Sequence, residues 1–161
     1  MKKTLLSIIT MAALVGSMAA YAAPIEKDIP VSATINGEII ILNSEGAPFG
    51  NDTLELKYNS ADKEHTFEER ISIESNTGDS INITYKDGLI LQEKTSGDNK
   101  EFKSVTVKLA GKTLTVDQAQ KFDLAANKFE DTLNITAEQP DNAKENEVYS
   151  GTLKLSIEAG V

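Results

Sequence analysis

Hydrophobic and polar residues alternate along most of this chain, and that alternation predicts β-strands. The sharpest run lies near the start. Ile25, Ile29, Val31, Ala33 and Ile35 share one face with Lys27 as the polar exception, while Glu26, Asp28, Pro30, Ser32, Thr34 and Asn36 take the other. A strand that is dry on one face and wet on the other needs a sheet to lie on, and either its own domain or a neighbouring molecule can supply one. Pro30 departs from the pattern, because proline has no N–H to give to a ladder.

Beyond Gly37 the chain reads as short strands separated by turn residues. Glu38 to Leu42 is the first, Asn43 to Asp52 is a loop with two Gly and a Pro, and Leu54, Leu56 and Tyr58 alternate with Glu55 and Lys57. Phe67 to Glu74 places Phe67, Ile71 and Ile73 on one face, Asn76 to Asp79 turns, and Ile81, Ile83 and Tyr85 alternate again. Asp87-Gly88 is a hairpin signal. Leu89 to Leu91 is short, Thr95 to Lys100 is a polar loop, and Val105, Val107 and Leu109 form a further strand. Val116 to Lys128 breaks the pattern: its Asp117 to Lys121 run and Ala125-Ala126 are good helix formers behind a Thr115 or Asp117 cap, so a short helix or an irregular crossover is expected there. Leu133, Ile135 and Ala137 resume the alternation, Gln139 to Glu147 is an acidic loop, and Val148 to Ala159 is the last strand, with Leu153, Leu155 and Ile157 inward. Seven or eight short strands with polar turns and no βαβ alternation predict an all-β fold, an immunoglobulin-like β-sandwich, here without the Cys-Trp-Cys pin.

The first residues read differently. Met1-Lys2-Lys3, an apolar core from Leu5 to Val15 and the small-x-small Ala20-Tyr21-Ala22 make a secretory signal peptide, residues 1–22, with cleavage after Ala22. Cutting one residue later would leave Pro24 directly after the scissile bond. The expected mature chain has 161 − 22 = 139 residues, enough for one domain. Loss of Lys2 and Lys3 moves the net charge from −9 to −11. Such acidity argues against nucleic acid as a partner. There is no cysteine, so a chain bound for an oxidising compartment gains no disulfide and no thiolate chemistry.

Nothing in the sequence assembles a reaction site, and neither an enzyme nor a cofactor is expected. His65 is the only histidine and reads as a solvated loop residue between Glu64 and Thr66, with no second His or Cys for a metal or a nucleophile pair. Glu68 and Glu69 are adjacent on a strand and so point to opposite faces, while the acids of Asp141 to Glu147 read as a solvated loop. Residues 141–145 lack the spacing and turn glycine of an EF-hand. The Asn51, Asn82 and Asn134 triplets match the glycosylation pattern as a chance outcome of threonine-rich strands. Gly151 within the last strand signals either a close backbone approach or a local irregularity.

The run from Ile25 to Ile35, followed by the apolar Ile39-Ile40-Ile41-Leu42, resembles the mature N-terminus of the alternate chaperone-usher pilins, the colonization-factor fimbrial subunits of Gram-negative bacteria. Val148-Tyr149-Ser150-Gly151-Thr152-Leu153-Lys154-Leu155-Ser156-Ile157 resembles their last strand. The resemblance covers both ends, and the middle by pattern alone. It implies a major structural subunit of a surface fimbria that supports adhesion to host cells, with a sandwich lacking one strand and completed by the N-terminal donor strand of another subunit. Residues 23–36 would be that donor extension and 37–161 the pilin domain. Ile25, Ile29, Val31, Ala33 and Ile35 would make the donor contacts, and Val148, Tyr149, Gly151, Leu153, Leu155 and Ile157 would form the acceptor-groove strand. Contacts of this head-to-tail kind do not close, so copies of the chain form a filament. The implied partners are those copies, a periplasmic chaperone, an outer-membrane usher and a tip adhesin, along an export route through the periplasm to the cell surface. The alternative is a self-complete secreted or periplasmic β-sandwich binding domain, whose N-terminal strand pairs within its own sheet.

Overall fold

The computed structural model describes residues 30–34, 37–50, 52–95 and 97–160. Its contacts divide the chain into two units, residues 1–34 and 35–161. Of the first, Pro30 to Thr34 are described; they carry no regular secondary structure and are exposed.

The second unit is all-β. Among its described residues there are eleven strands and no helix: β1 (Ile39–Leu42), β2 (Lys57–Asn59), β3 (Glu64–Ser75), β4 (Ser80–Lys86), β5 (Gln92–Glu93), β6 (Lys103–Leu109), β7 (Lys112–Thr113), β8 (Ala119–Asp123), β9 (Lys128–Glu138), β10 (Tyr149–Ser150) and β11 (Lys154–Ala159). One sheet runs β1-β3-β9-β6-β7, and β2 also pairs with β3. β3 is its spine. It pairs with β9 from Glu64↔Glu138 to Glu74↔Lys128, and its other edge carries β2 at one end and β1 at the other. The second sheet is β11-β4-β8, and the short pair β10-β5 continues beside it.

Period-two alternation fills the space between the sheets, as the sequence predicts. Ile71 and Ile73 of β3, Val107 and Leu109 of β6, and Leu133, Ile135 and Ala137 of β9 meet Ile81, Ile83 and Tyr85 of β4 and Phe122 of β8, all of them buried. The Tyr85 hydroxyl keeps a polar role inside the core by accepting the Leu89 N–H.

Three expectations are corrected. Residues 116–128 form no helix: β8 pairs with β4 from Ser80↔Asp123 to Thr84↔Ala119, and Ala126 and Asn127 turn at φ 51° and 66° to bring Lys128 back against Ala125. Burial of Phe122 and pairing with a core strand outweigh the modest helix preference of Ala and Gln. Asp87 and Gly88 do adopt positive φ, yet the chain leaves the sheet there, and β5 pairs with β10 instead of folding back on β4. The last strand is also interrupted. Residues 151–153 belong to no ladder, and separate β10 from β11.

Candidate functional site

The interruption has a local cause. A Cβ on Gly151 would lie 2.0 Å from the Ile90 carbonyl oxygen and 3.0 Å from Leu89 Cδ1, so only glycine lets the 89–91 segment pass this close. The sequence signal for close backbone approach is thereby met. Gly160 makes a second such contact that sequence reasoning missed: its N–H donates to the Ser80 carbonyl at 2.7 Å, and a Cβ there would meet Ser80 Oγ at 2.1 Å. These two glycines hold the ends of the C-terminal strand against its neighbours.

The other side of that strand is open. β11 is paired on one edge, to β4, from Lys154↔Lys86 to Ala159↔Ile81, and stands at the end of its sheet. Facing it across a groove are Ile41 of β1, Phe49, and the stretch Thr53 to Leu56, which joins no ladder. Leu54, Leu56, Leu89, Leu91, Ile135, Leu153 and Leu155 line the groove, an aliphatic lining in a space of about 370 Å³. A continuation of about 490 Å³ shares Thr53, Leu54, Leu56, Leu91 and Gly151, and runs on past His65, Phe102, Glu147, Val148 and Tyr149.

This continuation has a different chemistry. Tyr58, His65, Phe102 and Tyr149 form a row, with successive ring centroids 5.2, 5.0 and 5.0 Å apart. His65 is therefore not a solvated loop residue. It lies in β3, half-buried, with Nδ1 shielded and without a hydrogen-bond partner, and burial lowers its pKa below the ordinary 6.5. Beside the row, the Lys100 ammonium donates to Glu147, whose Oε2 also accepts the Tyr149 hydroxyl at 2.9 Å and the Lys144 N–H at 2.8 Å. The Lys100 and Glu147 side chains are only 6% and 7% exposed. Each supports the other's charge: the hydrogen bond from Lys100 lowers the Glu147 pKa, and the bond to Glu147 raises that of Lys100. Burial first, and then the bond to Glu147, raises that of Tyr149. Glu147 is thus a structural tie at the head of the strand, not the solvated acid that the 141–147 loop suggested.

Of the sequence-predicted strand residues, Tyr149, Gly151, Leu153 and Leu155 line the groove, Val148 lies at its exposed end, and Ile157 packs half-buried against the core. Val31 and Ala33 are exposed, whereas Ile25, Ile29 and Ile35 lie outside the described residues. Leu54, Leu56, Phe49 and Ile41, which form the opposite wall, were legible only as strand residues and not as groove residues. Among the described residues no group of His, Asp or Glu side chains converges as a metal site would require. The arrangement offers a place for an extended apolar segment.

Comparison with known proteins gives a family and a fold. A family model described as CS1 type fimbrial major subunit matches residues 25–158. No curated protein sequence matches the chain. Among solved structures, the CooA pilin subunit from enterotoxigenic Escherichia coli superposes with a TM-score of 0.57 at 15% identity, over 74% of this chain and 86% of that one. A chaperone-tip adhesin complex described for CFA/I fimbriae biogenesis gives a TM-score of 0.40 at 19% identity, over 76% of this chain and 42% of that one.

Proposed function

The chain belongs to the family of CS1 type fimbrial major subunits, and from that premise we propose that it polymerises by donor-strand complementation, each copy inserting residues 23–36 into the groove of the next. The observation that carries the proposal is the pairing of two features in one sequence: an alternating apolar strand at 25–35, and a sandwich whose C-terminal strand has an unpaired edge beside an aliphatic groove. An open strand edge and an apolar trough are both costly in water, and one extended segment with a dry face relieves both. Ile25, Ile29, Val31, Ala33 and Ile35 supply that face, with the Lys27 stem along apolar surface and its ammonium at the groove mouth.

The remaining assignments follow from the same reading. Residues 1–22 direct export and are removed, 37–161 form the pilin domain, and the mature subunit passes through the periplasm to a surface fimbria that supports adhesion to host cells. A periplasmic chaperone covers the groove before assembly, an outer-membrane usher receives the subunit, and a tip adhesin ends the fibre.

The test is polymerisation by the intact chain. After heating and recooling, size exclusion should show a ladder of polymers, and deletion of residues 23–35 should abolish it. A chain that stays monomeric with its arm intact, or polymerises equally well without it, would overturn the proposal in favour of a self-complete binding domain.

A further inference from the structure

Aliphatic packing alone leaves the register of the arm loosely set. The dry face repeats every two residues, so a slip of two along the groove still turns Ile25, Ile29, Val31, Ala33 and Ile35 inward. Some other contact has to choose among these registers. Lys27 is the one charged residue on that face, since Glu26 and Asp28 belong to the other. An ammonium in an aliphatic groove needs a carboxylate, and the place of that carboxylate decides where the arm stops.

The aliphatic part of the groove holds one. Among the described residues that line it, Asp52 is the single ionisable side chain. Residues 52–57 divide by position. Asp52, Leu54 and Leu56 line the groove, whereas Thr53, Glu55 and Lys57 join Thr66, Phe67 and Glu68 around a separate depression that the first three do not border. Leu54 and Leu56 are half-buried and Asp52 is exposed, so the wall that they form ends in a carboxylate open to water. Asp52 has no ion-pair partner among the described residues. Two other acids line the continuation of the groove. Glu147 is already tied to Lys100, the Lys144 N–H and the Tyr149 hydroxyl, and Glu55 also borders the outer depression.

We infer that, given the proposed insertion on which this assignment rests, Lys27 of one copy pairs with Asp52 of the next, and that the pair fixes the register of the arm. The Lys27 stem lies along the aliphatic wall and its ammonium meets the carboxylate where the groove opens to water. A slip of two residues in either direction separates the charges, and one of the two slips sets the ammonium against Leu54 without a partner. A pair this open to water adds little affinity. It acts by discrimination, because moving the ammonium along the wall strips it of both water and counter-charge.

Zero-length cross-linking reads this contact directly in polymers of the natural chain. A carbodiimide joins an ammonium to a carboxylate in contact with it, forming an amide with loss of water. Covalent ladders should then appear on a denaturing gel, and mass spectrometry of their digest should find Lys27 joined to Asp52. Lys27 joined only to other carboxylates, or to none, in polymers that have formed would overturn the inference. Charge exchange gives a second measurement. At low salt, Lys27→Glu and Asp52→Lys should each slow polymer formation about tenfold, and the double variant should recover to within about twofold of the natural chain. Single reversals that polymerise as fast as the natural chain, or a double variant no faster than the singles, would overturn it as well. Failure of the natural chain to form polymers at all, seen by size exclusion before any cross-linking, would overturn the docking reading itself and the inference with it.

Discussion

At the scale of single residues, packing rather than sequence neighbourhood decides what each side chain does. His65 sits between two acid-rich stretches in the sequence, yet cross-strand partners place it in an aromatic row, a placement no local pattern announces. Burial disfavours its protonated form in the folded state, so the folded chain takes up the proton less readily than the unfolded one. The stability this contributes is present above pH 6.5 and is lost as pH falls below that value toward the lowered folded pKa. Urea midpoints measured from about pH 7.5 down to about pH 5 should thus decline in the native chain and decline less in His65→Phe, which keeps an aromatic ring in the row without the titration. The two close-approach glycines differ in what they touch. Gly151→Ala drives a methyl into the Ile90 backbone carbonyl, whereas Gly160→Ala first meets a hydroxyl that can rotate. Gly151→Ala should cost about 1–3 kcal/mol in chemical denaturation, and more than Gly160→Ala does. Gly151 could be singled out from sequence because it interrupts an alternating strand; Gly160 could not, because it follows the last alternating residues and interrupts no pattern.

At the scale of elements, the strands were legible wherever one face is buried, and illegible where pairing alone makes the strand. Ile71 and Ile73, Ile81 to Tyr85, Val107 and Leu109, and Leu133 to Ala137 all alternate because each lines the same core. β8 escaped because its alternation rests on Phe122 alone among fully buried residues, in a run of good helix formers. The open groove was legible only by its C-terminal side, since the recognition of Leu54 and Leu56 as a wall needs the tertiary fold. The arm strand permits a sharper statement than any of these. In the proposed insertion, Val31→Asp would bury an unpaired carboxylate in the groove, at a cost of several kcal/mol. Thr34→Asp adds a charge on the wet face, worth less than about 1 kcal/mol. Exchange of synthetic 23–36 peptides into chaperone-held subunit should be abolished by the first substitution and spared by the second. The reverse ranking would mean that the arm presents its other face.

At the scale of the whole molecule, the proposed insertion would make the stability of each domain depend on its partner. A chain lacking residues 23–35 should gain about 2.7 kcal/mol when the 23–36 peptide is supplied at a hundredfold excess over its Kd. Calorimetry should read that gain as a rise of roughly 10 °C in Tm. A peptide with its apolar face scrambled should leave the Tm unchanged. The arm also has a mechanical meaning, because it runs through Gly37 directly into β1, and β1 is held to β3 by the four pairings from Ile39↔Ser75 to Leu42↔Ser72. In a filament built by such insertion, tension from one neighbour enters each subunit along the axis of β1. It therefore loads that short ladder in shear, all four rungs at once, rather than peeling them one by one. From β1 the load passes into β3, whose eleven pairings with β9 make it the stiffest member available. The long β3 strand then acts as a tie rod, and the four-rung joint above it is where a stretched fibre should yield first.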